Sequence, residues 1–165
     1  MSRLDLLKTV GVFSGLDENE IAQIEPICSE REYHRNATIF RGGQVIGGGD
    51  DARHLSILEE GRVDLRFDLP MRESDEETTV ATVKPGQCFG WSSLVPPYRY
   101  TLSAYCTSDQ CKVLELKRDE LVEIFELDHK IGYVVMGNLS RIIARRFFIL
   151  QDEYAKQLGH RMMRW

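Results

Sequence analysis

The chain has 165 residues, is 42% hydrophobic and 28% charged, and so has the make-up of one folded domain with or without a long terminal element. Its 21 Lys and Arg against 26 Asp and Glu give a net charge of −5, which argues against a broad nucleic-acid-coating surface but not against one local anion site. No apolar run approaches the ~20 residues of a membrane helix, and the N-terminus lacks the apolar stretch of a signal peptide, so a cytoplasmic protein without membrane contact is expected.

In chain order, Leu4, Leu7 and Val10 recur at helical spacing, and Val12 to Leu16 reads as a turn. Asp17 and Glu20 form a capping-box pattern before Ile21, Ile24, Ile27 and Cys28, which predicts a second helix ending near Ser29. The period then shortens. Strands are predicted from Thr38 and from His54 to Leu58, with a glycine-rich stretch (Gly42, Gly43, Gly47, Gly48 and Gly49) between them. Val63, Leu65, Phe67 and Leu69 alternate with Asp64, Arg66 and Asp68, the pattern of a half-buried strand closed by Pro70. The acidic run Glu73 to Glu77 suits a solvated hairpin tip. Further strands are predicted at 79–83, 87–89, 101–106 and 111–116. Short strands parted by Gly and Pro turns imply a mainly β fold with flanking helices, a jelly-roll barrel.

After Lys117 the helical period returns, first in Leu121, Ile124 and Phe125. A helix capped by Asp128 then carries a stripe of Val135, Leu139, Ile142, Ile143, Phe147, Leu150, Tyr154 and Leu158. It is longer than one barrel needs for cover, and its width favours pairing with a second copy over service as a core helix alone. Gly132 and Gly137 each cost ~1 kcal/mol of helix propensity, a cost that close backbone approach would explain. The division expected is a barrel with N-terminal helices over 1–127 and a dimerisation helix over 128–165. Cys28, Cys88, Cys106 and Cys111 form no C-x-x-C pair and read as reduced thiols. His34, His54, His129 and His160 have no metal-ligand spacing. No metal, no cofactor and no catalytic residue are expected.

Phe13-Ser14-Gly15-Leu16, Thr38 to Gly43, Leu55 to Val63, Val83 to Gly90 and Asn138 to Arg146 occur in the order seen in cyclic-nucleotide-binding domains of the catabolite activator and protein kinase regulatory type, which the chain resembles over about 4–156. The resemblance implies a sensor of a cyclic nucleotide, cyclic AMP or cyclic GMP, or of a related phosphate-bearing molecule, signalling through a homodimeric C-terminal helix. Its phosphate cassette would be Phe89, Gly90, Trp91, Ser92, Ser93, Arg99, Tyr100 and Thr101. Backbone approaches the phosphate at Gly90, N–H groups of the following turn point at it, and Arg99 neutralises it. Gln151 would be a base contact across the dimer.

Two departures stand out. The family has Glu after the glycine to accept the ribose hydroxyl, and here stands Trp91, which cannot accept it. Trp91 could instead plug the pocket and leave a ligand-free scaffold. Counting back from Ala104, the family's arginine falls at Tyr98 and Arg99 comes one residue late, which on a strand reverses its face. The residues from Lys156 to Trp165 are too few for a helix-turn-helix module, which needs ~40 or more, so no nucleic-acid partner is expected.

Overall fold

The computed structural model describes residues 2–43, 49–68 and 78–162. The expected hairpin tip at Glu73 to Glu77, with Leu69 and Pro70, lies outside these residues. Helix α1 (Arg3–Thr9) starts at a reciprocal cap between Ser2 and Asp5. Helix α2 (Glu18–Ile24) starts at the expected box, with Glu20 N–H donating to Asp17 and Asp17 N–H donating to Glu20. It ends at Ile24 rather than near Ser29 as the sequence period predicts. Pro26 has no N–H for another helical rung. Glu25–Ile27 therefore closes as a 3-10 turn, and Cys28 opens a strand.

The strands are β1 (Cys28–His34), β2 (Thr38–Phe40), β3 (His54–Glu60), β4 (Val63–Arg66), β5 (Thr79–Val83), β6 (Cys88–Phe89), β7 (Ser103–Cys106) and β8 (Gln110–Lys117). They form two antiparallel four-stranded sheets, ordered β1-β8-β3-β6 and β2-β7-β4-β5. This is the jelly-roll arrangement that the short strands imply. Between the sheets lie Leu58, Val63, Leu65, Phe89, Ala104, Cys106 and Val113. A second cluster joins Leu55, Ile57, Leu114 and Leu116 of the other sheet face to α1, α2 and the C-terminal helices.

The alternation expected from Val63 to Leu69 stops early. A bulge between Leu65 and Arg66 breaks the two-residue period, so Phe67 is 48% exposed. Asp64, expected outward, is buried, and its charge is met by Arg66 at 3.1 Å and by the Thr82 hydroxyl at 2.9 Å.

Helix α3 (Arg118–Leu127) buries Leu121 and leads into α4 (His129–Met162), whose 34 residues span roughly 50 Å. Asp128 caps α4 by accepting the N–H groups of Lys130 and Ile131 at 3.0 and 3.4 Å. Ile131, Val135 and Leu139 are buried against the barrel and the N-terminal helices. Asn138 Nδ2 donates to Val12 O at 3.1 Å and Ser14 O at 2.7 Å. Lys130 reaches the buried Glu20 carboxylate at 2.6 Å. The two helix glycines divide. A Cβ on Gly132 would lie 2.9 Å from Phe125 Cβ, so α3 itself makes the close approach there. A Cβ on Gly137 would meet nothing within 4 Å.

Candidate ligand-binding site

The chain leaves β6 through Gly90, which adopts φ 73 and ψ 23. A Cβ there would stand 3.1 Å from His54 O and 3.4 Å from the rings of Phe40 and Tyr100. Glycine is thus required for both conformation and space. Trp91–Leu94 then forms a 3-10 turn, in which Ser93 N–H donates to Gly90 O at 3.1 Å. The first N–H groups of such a turn have no acceptor within it. Leu94 and Ser93 turn into the protein; the Ser93 hydroxyl is buried without a hydrogen-bond partner, while Trp91 and Ser92 stay half-buried.

That turn forms one side of a cavity of about 280 Å³ between the barrel and α4. Gly90, Trp91, Ser92, Tyr100 and Thr101 line it, as do Phe40, Leu65 and Leu102 of the barrel and Arg146, Ile149 and Leu150 of α4. Tyr100 stacks on Phe40 with ring centroids 3.7 Å apart, and its hydroxyl donates to His54 O at 3.0 Å. Burial pushes the Tyr100 phenol up to about 12, which keeps it a neutral donor. Phe89 lies beneath, fully buried and 5.9 Å from Phe40.

Arg99 is not on this wall. Its backbone bridges Asp51, Nη1 donates to Gly49 O at 2.9 Å and Nη2 pairs with Asp51 at 3.2 Å. It lines a different concavity, with Arg53, Lys117 and Arg118. Tyr98 takes φ 58 just before it, and Tyr100 just after it faces the cavity. Successive residues of extended chain point to opposite sides, so Tyr100 inward puts Arg99 outward. Gln151 is exposed and does not line the cavity either.

The cation that does line it is Arg146, which belongs to the Asn138 to Arg146 motif but not to the phosphate cassette that the resemblance implies. Arg146 Nη2 donates to Cys88 O at 3.4 Å, and among the described residues no carboxylate pairs with it. Desolvation lowers its pKa. The sequence signal was present: Arg146 continues the helical spacing of Leu139, Ile142 and Ile143, a cation inside an apolar stripe. Burial likewise raises the thiols, Cys28 to about 12 and Cys106 to about 11, and all four cysteines are free. No group of three or more His, Cys, Asp or Glu among the described residues is placed to hold a metal ion. No helix among them is long and apolar enough to cross a membrane.

A two-sheet barrel whose glycine-led turn faces a cavity bordered by a long helix is the arrangement that the resemblance to cyclic-nucleotide-binding domains implies. The model of the cyclic nucleotide-binding domain matches residues 30–128, and the chain belongs to that family. No curated protein matches it significantly. Among solved structures, a protein of Geobacter metallireducens GS-15 provisionally described as cyclic nucleotide-binding is 28% identical, covering 89% of this chain and 99% of that one at TM-score 0.72. The catabolite activator protein of Thermus thermophilus is 24% identical, with 88% and 62% covered at TM-score 0.69. A regulatory subunit of a cAMP-independent protein kinase A from Trypanosoma brucei, solved as a mutant bound to cAMP in its A site, is 19% identical, with 93% and 50% covered at TM-score 0.71. The last two similarities speak for the fold alone.

Proposed function

We propose that this chain is a cytoplasmic, non-catalytic sensor domain that binds a small phosphate-bearing molecule, a cyclic nucleotide being the first candidate, and signals through α4. The observation that carries this reading is the shared wall of the cavity: the cassette turn and α4 both border it, so one ligand would touch both. Gly90, Trp91, Ser92, Tyr100 and Thr101 form the ligand-facing wall in this reading, while Phe89 and Ser93 hold it from behind. Arg99 is a cation of the opposite face. Residues 1–127 act as the receiver and 128–165 as the output, with α4 pairing in a homodimer through its exposed apolar residues; Gln151 lies within that stretch. Calorimetry with cyclic AMP and cyclic GMP tests the ligand. Hydrogen exchange along 143–158, slowed by whichever binds, tests the relay. Faithful binding with no change in α4 exchange would remove the signalling claim.

A second reading is favoured by Trp91. That residue lines the cavity at the position where the resemblance expects a sugar-binding Glu, and in this reading the indole plugs the pocket and the domain works as a ligand-free scaffold. Trp91→Glu separates the two. Cyclic AMP binding gained by that variant, and absent before it, supports the scaffold; binding already present in the unaltered chain removes it.

A further inference from the structure

The cavity wall is chemically one-sided. Most of its side chains are apolar or aromatic, and Arg146 is the only charged one among the described residues lining it. Among the described residues lining it there is no carboxylate and no amide side chain to accept from amino groups or a sugar diol; the hydroxyls of Ser92, Tyr100 and Thr101 and the indole N–H of Trp91 are the remaining side-chain polar groups. A guanidinium offers five N–H donors, and Arg146 uses one, in a long bond of 3.4 Å to Cys88 O. A half-buried cation with no counter-charge is costly, and a guanidinium does not shed its proton to relieve that cost. An anion entering the cavity removes the penalty, and its apolar body finds Trp91, Phe40 and Leu102 around it. At about 280 Å³ the space is at the small end of ligand pockets, which run ~300–1,000 Å³.

Resting on the sensor reading, we infer that the ligand is a small organic anion with a flat aromatic body and few other polar groups, its charge paired by Arg146 of α4 and not by Arg99. The anion-binding cation then belongs to the output helix itself, so ligand capture acts on α4 directly.

The test uses the full chain carrying Trp165→Phe, in which Trp91 is the only tryptophan and reports from the cavity wall. The probes are 1-naphthyl phosphate, the uncharged 1-naphthol, inorganic phosphate and cyclic AMP. Naphthyl phosphate is expected to change Trp91 fluorescence saturably, with naphthol and inorganic phosphate at least about tenfold weaker. Arg146→Met should lose roughly ten- to a hundredfold in affinity, and Arg146→Lys should recover part of it. Arg99→Ala should stay within about twofold, because its ion pair is an exposed one. Circular dichroism of each variant verifies the fold. Naphthol bound as tightly as its phosphate, or affinity lost with Arg99 and kept without Arg146, overturns the inference. Tight cyclic AMP binding that ignores Arg146 overturns it too, and leaves the sensor reading standing. No saturable signal from any probe overturns both.

Discussion

The two halves of α4 are one continuous helix in different surroundings. In the first half Ile131, Val135 and Leu139 are at most 1% exposed, and Asn138 and Lys130 tie the backbone to the N-terminal turn and to Glu20. In the second half Phe147, Phe148, Ile149 and Tyr154 are all more than half exposed, between 51% and 65%. Helical propensity holds such a segment only marginally, since packing of an apolar face supplies most of a helix's stability. The second half is therefore the adjustable part of the helix. Arg146 and Leu150 border the cavity at the place where packing gives out, so a modest change in contact there acts on the less anchored half.

The largest expected contrast is in folding stability. Leu139→Ala removes a side chain 1% exposed in the main core and should cost about 2–5 kcal/mol in urea unfolding. Tyr154→Ala, at a position 64% exposed, should move the same measurement by no more than about 0.5 kcal/mol at concentrations where the chain is monomeric. Equal losses at the two sites would mean that both halves are packed within one chain, and the comparison would break.

The next effect is on association. Phe147→Glu with Leu158→Glu puts two charges on the exposed stretch, where like charges would face each other across a two-fold helix pair. Sedimentation should show self-association weakened at least about tenfold, or ~1.4 kcal/mol, with the monomer's stability unchanged. A parent chain that stays monomeric at high concentration would remove the dimer helix from the proposal.

The same division explains what the sequence could reveal. Local chemistry is readable: the Asp17 and Glu20 cap, the Asp128 cap and the strand at 111–116 each depend on residues a few positions apart. Ile27 and Cys28 misled because their spacing continues the helical period past Pro26, which ends the helix at the backbone. Phe67 misled because a bulge depends on the facing strand, here β5, which no pattern within β4 reveals. The one-residue lateness of Arg99 was visible, but its partners were not: Gly49 O and Asp51 come from a loop some fifty positions away. Arg146 is not legible as a site residue in the sequence, since its meaning depends on how α4 crosses the barrel. A cation on an apolar stripe is ambiguous until the neighbouring surface is known.

The last contrast is between the two glycines of α4, where alanine stabilises at one position and not at the other. Alanine gains about 1 kcal/mol over glycine in a helix interior. At Gly137 nothing stands within 4 Å of the added Cβ, so Gly137→Ala should stabilise the chain by about that amount. At Gly132 the new methyl meets Phe125 Cβ at 2.9 Å, a position near the backbone that cannot swing away. Overpacking costs ~1–3 kcal/mol, more than propensity returns, so Gly132→Ala should be neutral to destabilising by about 2 kcal/mol. Thermal or urea unfolding of the two variants measures both signs. The run of consecutive exposed apolar residues, Phe147 to Leu150, begins about 15 Å along the helix from Gly137, while Tyr133 and Met136 are exposed beside it; pairing confined to the later run leaves the gain at Gly137 the same above and below the association range. A gain present only in the dilute monomer would place the helix crossing at Gly137, and the second copy would then sit against the anchored half.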